Sequence, residues 1–499
     1  MDNLKQKVAK GAIWVLCEKL SCQAVGFVVG MILARLLTPD DYGTVALLTI
    51  FTSIAGVFVD SGFGQALIQK KDANQLDYNS VFYLSLLLSG LMYLILFFIA
   101  PLVADFYEIP ELKPILRVIS VVLICNSINS IQNAELNRKL LFHLSFRISL
   151  ISTISSAIVG ISMAFLGYGV WALVASGVVS GVVGVISRWL FIAWRPKFMF
   201  SLSALKPLFR YGWKMTVSGL LDVGFNNLSG LIIGKWYSCA DLAFVNKGRH
   251  LPQLLMENIN GTLGRVAFPA LSQIQDEMLK VRESMRRMMI CSTYFVFPLM
   301  TLMAITAYRT ILLLYGDQWV SATPYAQIAC FSFALWPFHT INLQGIMAIG
   351  HSDVFLKLEI LKKILALIVL VVCIPQGVLI YVACSSLVLG PVSVFINAWP
   401  NRKLLDYTIG MQLKDVLPTI LLSITVAIPV WLLGLFFTCN DIISLFVCLI
   451  LQGVLMLSTY LVASIFFKFR PVREVCLMLK SRMENRNRMF VKLTEYLEV

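Results

Sequence analysis

The side chains with the strongest claim to chemistry are ionisable groups set inside long apolar runs. Glu18, Lys19 and Arg35 lie in the first run, Asp60 in the second, Arg147 in the fifth, Lys214 and Asp222 in the seventh, and Lys247, Arg249, Glu257 and Arg265 in the eighth. A charge facing hydrocarbon costs at least ~2.5–3.5 kcal/mol, so such groups are expected to face a protein interior or a wet cavity, where they line pathways or pair with one another. Counted from the basic residues Lys10 and Lys70, Lys19 and Asp60 both lie about 13–15 Å deep at 1.5 Å per residue, on one side, so the two can meet. Cations dominate the set: Lys19, Arg35, Arg147, Lys214, Lys247, Arg249 and Arg265 stand against Glu18, Asp60, Asp222 and Glu257. A surplus of Lys and Arg suits an anionic headgroup such as a diphosphate, whose oxygens accept charge-assisted hydrogen bonds, and the carboxylates are left as acidic partners or ion-coupling groups.

Other ionisable groups read more plainly. Arg117, Arg188 and Arg309, near run ends, and the cluster Lys357, Glu359, Lys362 and Lys363 are expected to snorkel to the interface. The histidines, His143, His250, His339 and His351, are scattered and are not read as a relay. The 11 cysteines contain no CxxC pair and no metal spacing, and a disulfide between Cys239 and Cys439 is not expected. No catalytic residue, metal or cofactor is expected, and H+ or Na+ coupling stays open.

The elements that position these charges follow from composition. With 58% hydrophobic and 14% charged residues over 499, the chain reads as an all-α, multi-span membrane protein and not as a soluble one. Apolar runs fall near 11–37, 43–68, 79–104, 114–136, 143–166, 168–194, 210–235, 241–269, 288–314, 322–349, 354–374, 376–399, 415–437 and 441–467, about fourteen spanning helices at roughly 20 residues per crossing. The first run is too long and too charged for a signal peptide, so it is expected to remain as a membrane helix. Basic residues gather in alternate loops, while the other turns hold Asp40, Asp41, Asp105, Glu108, Glu111, Asp241, Asp317 and Asp441. That alternation places both termini in the cytoplasm and accounts for the net charge of +14 without nucleic acid.

The polar segment 195–209 divides the chain. The layout is two six-helix lobes with pseudo-twofold symmetry, 1–194 (helices 1–6) and 210–403 (helices 7–12), joined by a cytoplasmic linker, with accessory helices 13 and 14 in 404–467 and a basic amphipathic tail in 468–499. GMILARLLTPDDYGTVAL at 30–47 is restated by SGLIIGKWYSCADLAFVN at 229–246: an apolar helix ends in a base, then an acidic turn starts the next. A cleft between the lobes is the expected place for substrate. Gly26, Gly30 and Ala34 form a small-residue stripe that suits close helix approach.

Two segments carry a family resemblance. LARLLTPDDYG at 33–43, followed by GFGQALIQKKD at 62–72, and GTLGRVAFPALSQIQDE at 261–277 resemble the polysaccharide-exporter branch of the multidrug/oligosaccharidyl-lipid/polysaccharide flippase superfamily, the Wzx-type O-antigen exporters. The resemblance implies a flippase of the bacterial inner membrane. Such a protein moves a polyprenyl-diphosphate-linked oligosaccharide, the repeat unit of an O-antigen, capsule or exopolysaccharide, by alternating access and without covalent chemistry. Its partners would be that glycan, membrane lipids, a glycan polymerase and glycosyltransferases. Two alternatives remain: an ion-coupled multidrug exporter of the same superfamily, for which a cationic interior is the wrong sign, and a membrane glycan polymerase, for which no loop is large enough to house an active site.

Overall fold

Why the chain breaks where it does is clearest at residue 38. In the computed structural model, Thr38 N and Oγ1 donate to Asp41 Oδ2 at 2.9 and 2.8 Å, and Asp41 N donates back to Thr38 Oγ1 at 3.3 Å. This reciprocal cap, with Pro39 at the first helical position, ends α1 (Asp2–Leu36) and starts α2 (Pro39–Asp60). Two hundred residues on, Ser238 and Asp241 repeat the same three bonds at 3.2, 2.7 and 3.0 Å between α8 (Leu202–Trp236) and α9 (Cys239–Ser272). The repeat read from the sequence is thus reproduced bond for bond at its turns.

The structure describes residues 2–60, 67, 70, 74–437 and 441–473, with the side chains of 2–9, 204, 207–212 and 214 excepted. The Gly-rich stretch 61–66, Cys439, most of the tail (474–499) and the side chain of Lys214 lie outside the described residues. Every described element is helical. Between α2 and α8 lie α3 (Gln75–Tyr107), α4 (Leu112–Ile119), α5 (Val121–Arg138), α6 (Phe142–Phe165) and α7 (Val170–Phe191). After α9 come α10 (Met278–Tyr315), α11 (Thr323–Ala334), α12 (Trp336–Ala348), α13 (Ser352–Cys373), α14 (Val378–Ala383), α15 (Leu389–Ala398), α16 (Asn401–Leu404), α17 (Ile409–Phe436) and α18 (Ile442–Phe466).

Among the described residues, 11 helices are long and apolar enough to cross a bilayer. The expected count of fourteen is not reached on length and apolarity, for identifiable reasons. Lys247, Arg249, Glu257 and Arg265 lower the apolarity of α9, and Lys357, Glu359, Lys362 and Lys363 do the same at the start of α13. The run at 322–349 breaks at Leu335 into helices of 12 and 13 residues, because Pro337 has no N–H to continue the ladder.

By packing, the chain forms two compact units, Met1–Ala243 and Phe244–Val499. In the first, α6 pairs with α1 and α7, α5 packs on α3 and α7, and α8 lies along α2 and α3, so this unit extends past 195–209 to Ala243. Its core gathers Tyr78, Phe82, Ile131, Leu136 and Trp194 near one end and Leu33, Leu37, Ala164 and Ala172 near the other. Glycines of α8 set the close approach: a Cβ at Gly230 or Gly234 would meet Ile50 or Leu47 of α2 at 2.8 Å. On the stripe expected on α1, a Cβ at Gly26 or Gly30 meets nothing within 4 Å, while Ala34 is fully buried.

Glu108 closes α3 in a left-handed conformation, φ 61°, and accepts from Lys235 Nζ at 2.9 Å. That ammonium holds the Glu108 carboxyl below its ordinary value of 4.5. A lowered value means the link contributes fully above about pH 4.5 and is lost as pH falls through the lowered value. Hydrogen exchange at the end of α8 should therefore stay slow from neutral pH to that point and quicken below it, and Glu108→Gln should quicken it at neutral pH.

In the second unit α10 is central, packing against α11, α12, α17 and α18. Met285, Met289, Phe297, Phe333 and Phe338 fill the core. The last two helices are pinned to α10: the Tyr294 and Tyr460 rings lie 5.1 Å apart, and Tyr460 Oη donates to Tyr294 O at 3.0 Å. Asn342, Asn401 and Gln412, all 0% exposed, bond through their amides at 2.7–2.9 Å. Arg286 grips Asp415 through Nε and Nη2 at 2.6–2.9 Å, and the Asp415 side chain is only 6% exposed. Arg286→Leu leaves that carboxylate without its charged partner, which should cost about 1–3 kcal/mol and lower the detergent melting temperature.

Candidate functional site

The polar chambers of the first unit grow from one helix. Asn126, Asn129, Asn133 and Asn137 recur on α5 at steps of three, four and four residues, which brings all four amides to one face. This face borders two cavities. One, about 930 Å³, is lined by α2, α5, α7 and α8, with Thr49, Thr52 and Asp60 on its α2 wall. The other, about 880 Å³, is lined by α1, α5, α6 and α7, with Glu18, Lys19, Ser149, Ser152 and Thr153 on its walls. The asparagine row and Arg188 line both.

Arg188 ties the row to α7. Its Nε and Nη2 donate to Asn133 Oδ1 at 3.2 and 3.1 Å, and Nη1 donates to Asn129 Oδ1 at 3.2 Å and Gly184 O at 3.1 Å. The snorkelling expected of Arg188 does not occur: the asparagine carbonyls supply the acceptors that the interface would otherwise provide. Room for the guanidinium comes from glycine, because a Cβ at Gly184 would sit 3.1 Å from Nη1 and 3.4 Å from Asn129 Nδ2.

Five of the hydroxyls around the row donate their protons elsewhere. Thr49 donates to Val45 O at 2.7 Å and Thr52 to Thr49 O at 3.1 Å. Ser152 donates to Ile148 O at 2.9 Å, Thr153 to Ser149 O at 2.8 Å, and Ser149 to Glu18 Oε1 at 2.6 Å. Toward the cavities these five groups offer lone pairs, while the asparagine amides and the Lys19 ammonium carry N–H donors.

The sequence-derived residues distribute unevenly. Glu18, Lys19 and Asp60 do line the cavities, but Lys19 and Asp60 open on to different ones and do not pair, among the described residues. Among the described residues, the charged side chains that line the cavities are Glu18 and Asp60 with Lys19 and Arg188. Arg35 is exposed at the end of α1, and Arg147 and Asp222 are exposed on α6 and α8, outside the lining of both cavities. In the second unit the Lys247 ammonium lies 4.7 Å from the Tyr315 ring centroid and 5.4 Å from that of Trp319, both rings buried. Arg249 is exposed, Glu257 accepts from Gln253 at 2.7 Å, and Arg265 Nε donates to Gly261 O at 3.1 Å. The asparagines were missed because a search for formal charges passes over neutral amides. Their shared helical face inside an apolar run was the available signal.

Polar chambers lined by bilayer-length helices are the architecture of a multi-pass membrane transporter. The chain belongs to the family described as "Polysaccharide biosynthesis protein", whose profile matches residues 32–324, more than half of its length. It is 24% identical over 416 residues to the teichuronic acid biosynthesis protein TuaB of Bacillus subtilis, covering 83% of this chain and 85% of that protein. It is 22% identical over 369 residues to the lipopolysaccharide biosynthesis protein WzxC of Escherichia coli, covering 73% and 74%. Among solved structures, the lipid II flippase MurJ in its inward closed conformation superposes with a TM-score of 0.70 at 13% identity, covering 92% of this chain and 99% of that one. An inward-facing multidrug resistance MATE transporter of the MOP superfamily gives a TM-score of 0.53 at 16% identity, over 77% and 94%. These likenesses establish a shared helical transporter fold.

Proposed function

We propose that the protein is a flippase that moves a polyprenyl-diphosphate-linked oligosaccharide across a bacterial inner membrane by alternating access, with both termini in the cytoplasm. The oligosaccharide would be the repeat unit of an O-antigen, capsule or exopolysaccharide. The observation that carries this reading is the asparagine row and its hydroxyl-rich surroundings, open to about 930 and 880 Å³ of space inside helices that cross the bilayer. A glycan head cannot pass through hydrocarbon without losing its hydrogen bonds, and each unpaired polar group there costs several kcal/mol; this lining replaces those bonds. The prenyl tail needs no such shelter and can remain in lipid, so no covalent chemistry is required. A glycan polymerase and glycosyltransferases are the partners that would consume and supply the cargo. The MATE-like fold also suits an ion-coupled multidrug exporter; the asparagine row favours the glycan reading, because its amides can replace hydrogen bonds that a sugar loses on leaving water.

The test is to delete the gene and locate the lipid-linked glycan. Complete repeat units trapped on the cytoplasmic face support flipping and identify the cargo. Complete units that reach the outer face unpolymerised would overturn the reading.

A further inference from the structure

The flippase reading leaves open which part of the cargo the asparagine row touches, and the hydrogen-bond pattern around Arg188 bears on that. A guanidinium carries five N–H groups and no acceptor. Arg188 commits four of them, one from Nε, two from Nη1 and one from Nη2, to Asn133, Asn129 and Gly184. It therefore has no free edge with which to grip a phosphate bidentately. Its bonds also fix the amides. With Oδ1 of Asn129 and Asn133 turned to the guanidinium, Asn133 Oδ1 accepts twice and Asn129 Oδ1 once, and the Nδ2 groups are the donors that these side chains keep for the cavities. The two asparagines stand four residues apart on α5, about 6 Å of helix rise. Around them Thr49, Thr52, Ser149, Ser152 and Thr153 face the cavities with lone pairs, their protons being used elsewhere.

We propose that the α5 asparagine row is the glycan-reading surface of this flippase, that Arg188 is the positioning residue setting its donor polarity, and that it selects sugars bearing a carbonyl group, acetamido or uronic, flanked by hydroxyls. A planar C=O takes two N–H donors, and neighbouring sugar hydroxyls donate to the spent Ser and Thr oxygens. The inference rests on the flippase reading of the same chambers. A diphosphate is the less suited occupant, since among the described residues Glu18 and Asp60 offset Lys19 and Arg188 along the lining.

The experiment uses the full chain in lipid nanodiscs and four probes: undecaprenyl diphosphate alone, and the same lipid carrying glucose, N-acetylglucosamine or glucuronate. Wild type should bind at least one carbonyl-bearing probe tenfold or more tighter than the glucose probe, and which one does so separates the acetamido from the uronic source. In the doubly substituted Asn129→Asp, Asn133→Asp variant that ratio should collapse toward one. Aspartate keeps the side-chain shape and gives Arg188 a stronger partner, so the fold is retained while the donors are lost. Arg188→Lys should also shrink the ratio, because one ammonium cannot orient both amides; a merely structural role would lower all affinities together and leave the ratio alone. An unchanged ratio in these variants, or equal loss for all four probes, overturns the glycan-reading surface but leaves the flippase reading intact. No binding of any probe by wild type overturns both.

Discussion

Arg188→Leu should stop glycan export while the protein remains in the membrane at its normal amount. Leucine removes the donors that hold Asn129 Oδ1 and Asn133 Oδ1, and hydrogen bonds to a charged group contribute about 1.5–3 kcal/mol each. Losing two such contacts amounts to roughly 3–6 kcal/mol, or about a hundredfold or more in rate if the amides must be oriented at the transport barrier. The variant should also fold, since Arg188 packs at a cavity wall and not in an apolar core. Surface glycan measured against membrane-embedded protein separates the two effects. Arg147→Leu is the matched control, because Arg147 is exposed and lies outside the lining of both cavities. Wild-type export in the Arg188 variant would remove the row from the transport path.

Which parts of this molecule could be read beforehand follows from what each signal measures. Helix starts at Thr38 and Ser238 were legible because capping is local: a hydroxyl, a carboxylate three residues later and an apolar run specify the turn without reference to the rest of the fold. Glu18, Lys19 and Asp60 were legible as cavity residues because a formal charge in an apolar run has few other places to go. Arg188 was misread because depth does not give orientation, and the same limit applies to Arg147, which lies outside the lining of both cavities. Position along a run says how deep a charge lies, but only tertiary contacts say which way it turns. The asparagines carry no charge, so a search for charges passes them over; their shared face marks the helix as polar, and their role emerges when α7 places a guanidinium opposite them. Close approach was predicted from Gly26 and Gly30 on α1, yet the tight contacts lie at Gly230 and Gly234 on α8. A small residue permits contact; the neighbour that makes the contact belongs to another part of the chain.

Gly43→Ala should spring open the joint between the two repeated turns. A Cβ on Gly43 would overlap the carbonyl oxygen and carbon of Cys239, so the first residue of α9 and the start of α2 cannot keep their present approach. Main chain cannot rotate aside as a flexible side chain can, and overpacking of this kind costs about 1–3 kcal/mol. The turn itself does not demand glycine: the equivalent position in the second repeat is Ala243, 1% exposed, after the same Ser238–Asp241 cap. Glycine at 43 is therefore needed for the contact. Cys239 reports the outcome directly, being 6% exposed in the closed joint. In purified protein with its other cysteines replaced by serine, the alanine variant should expose Cys239 to a maleimide at least tenfold faster, the equivalent of about 1.4 kcal/mol of local opening. The neighbouring seam gives a second reading, since Gly234→Val drives a side chain against Leu47 and should loosen the same end. Unchanged Cys239 reactivity in both variants would mean that α2 and α8 can part without disturbing this joint. A tenfold rise together with lost export would instead make its closure a required step of transport, at the opposite end of α2 from Asp60 and the larger chamber.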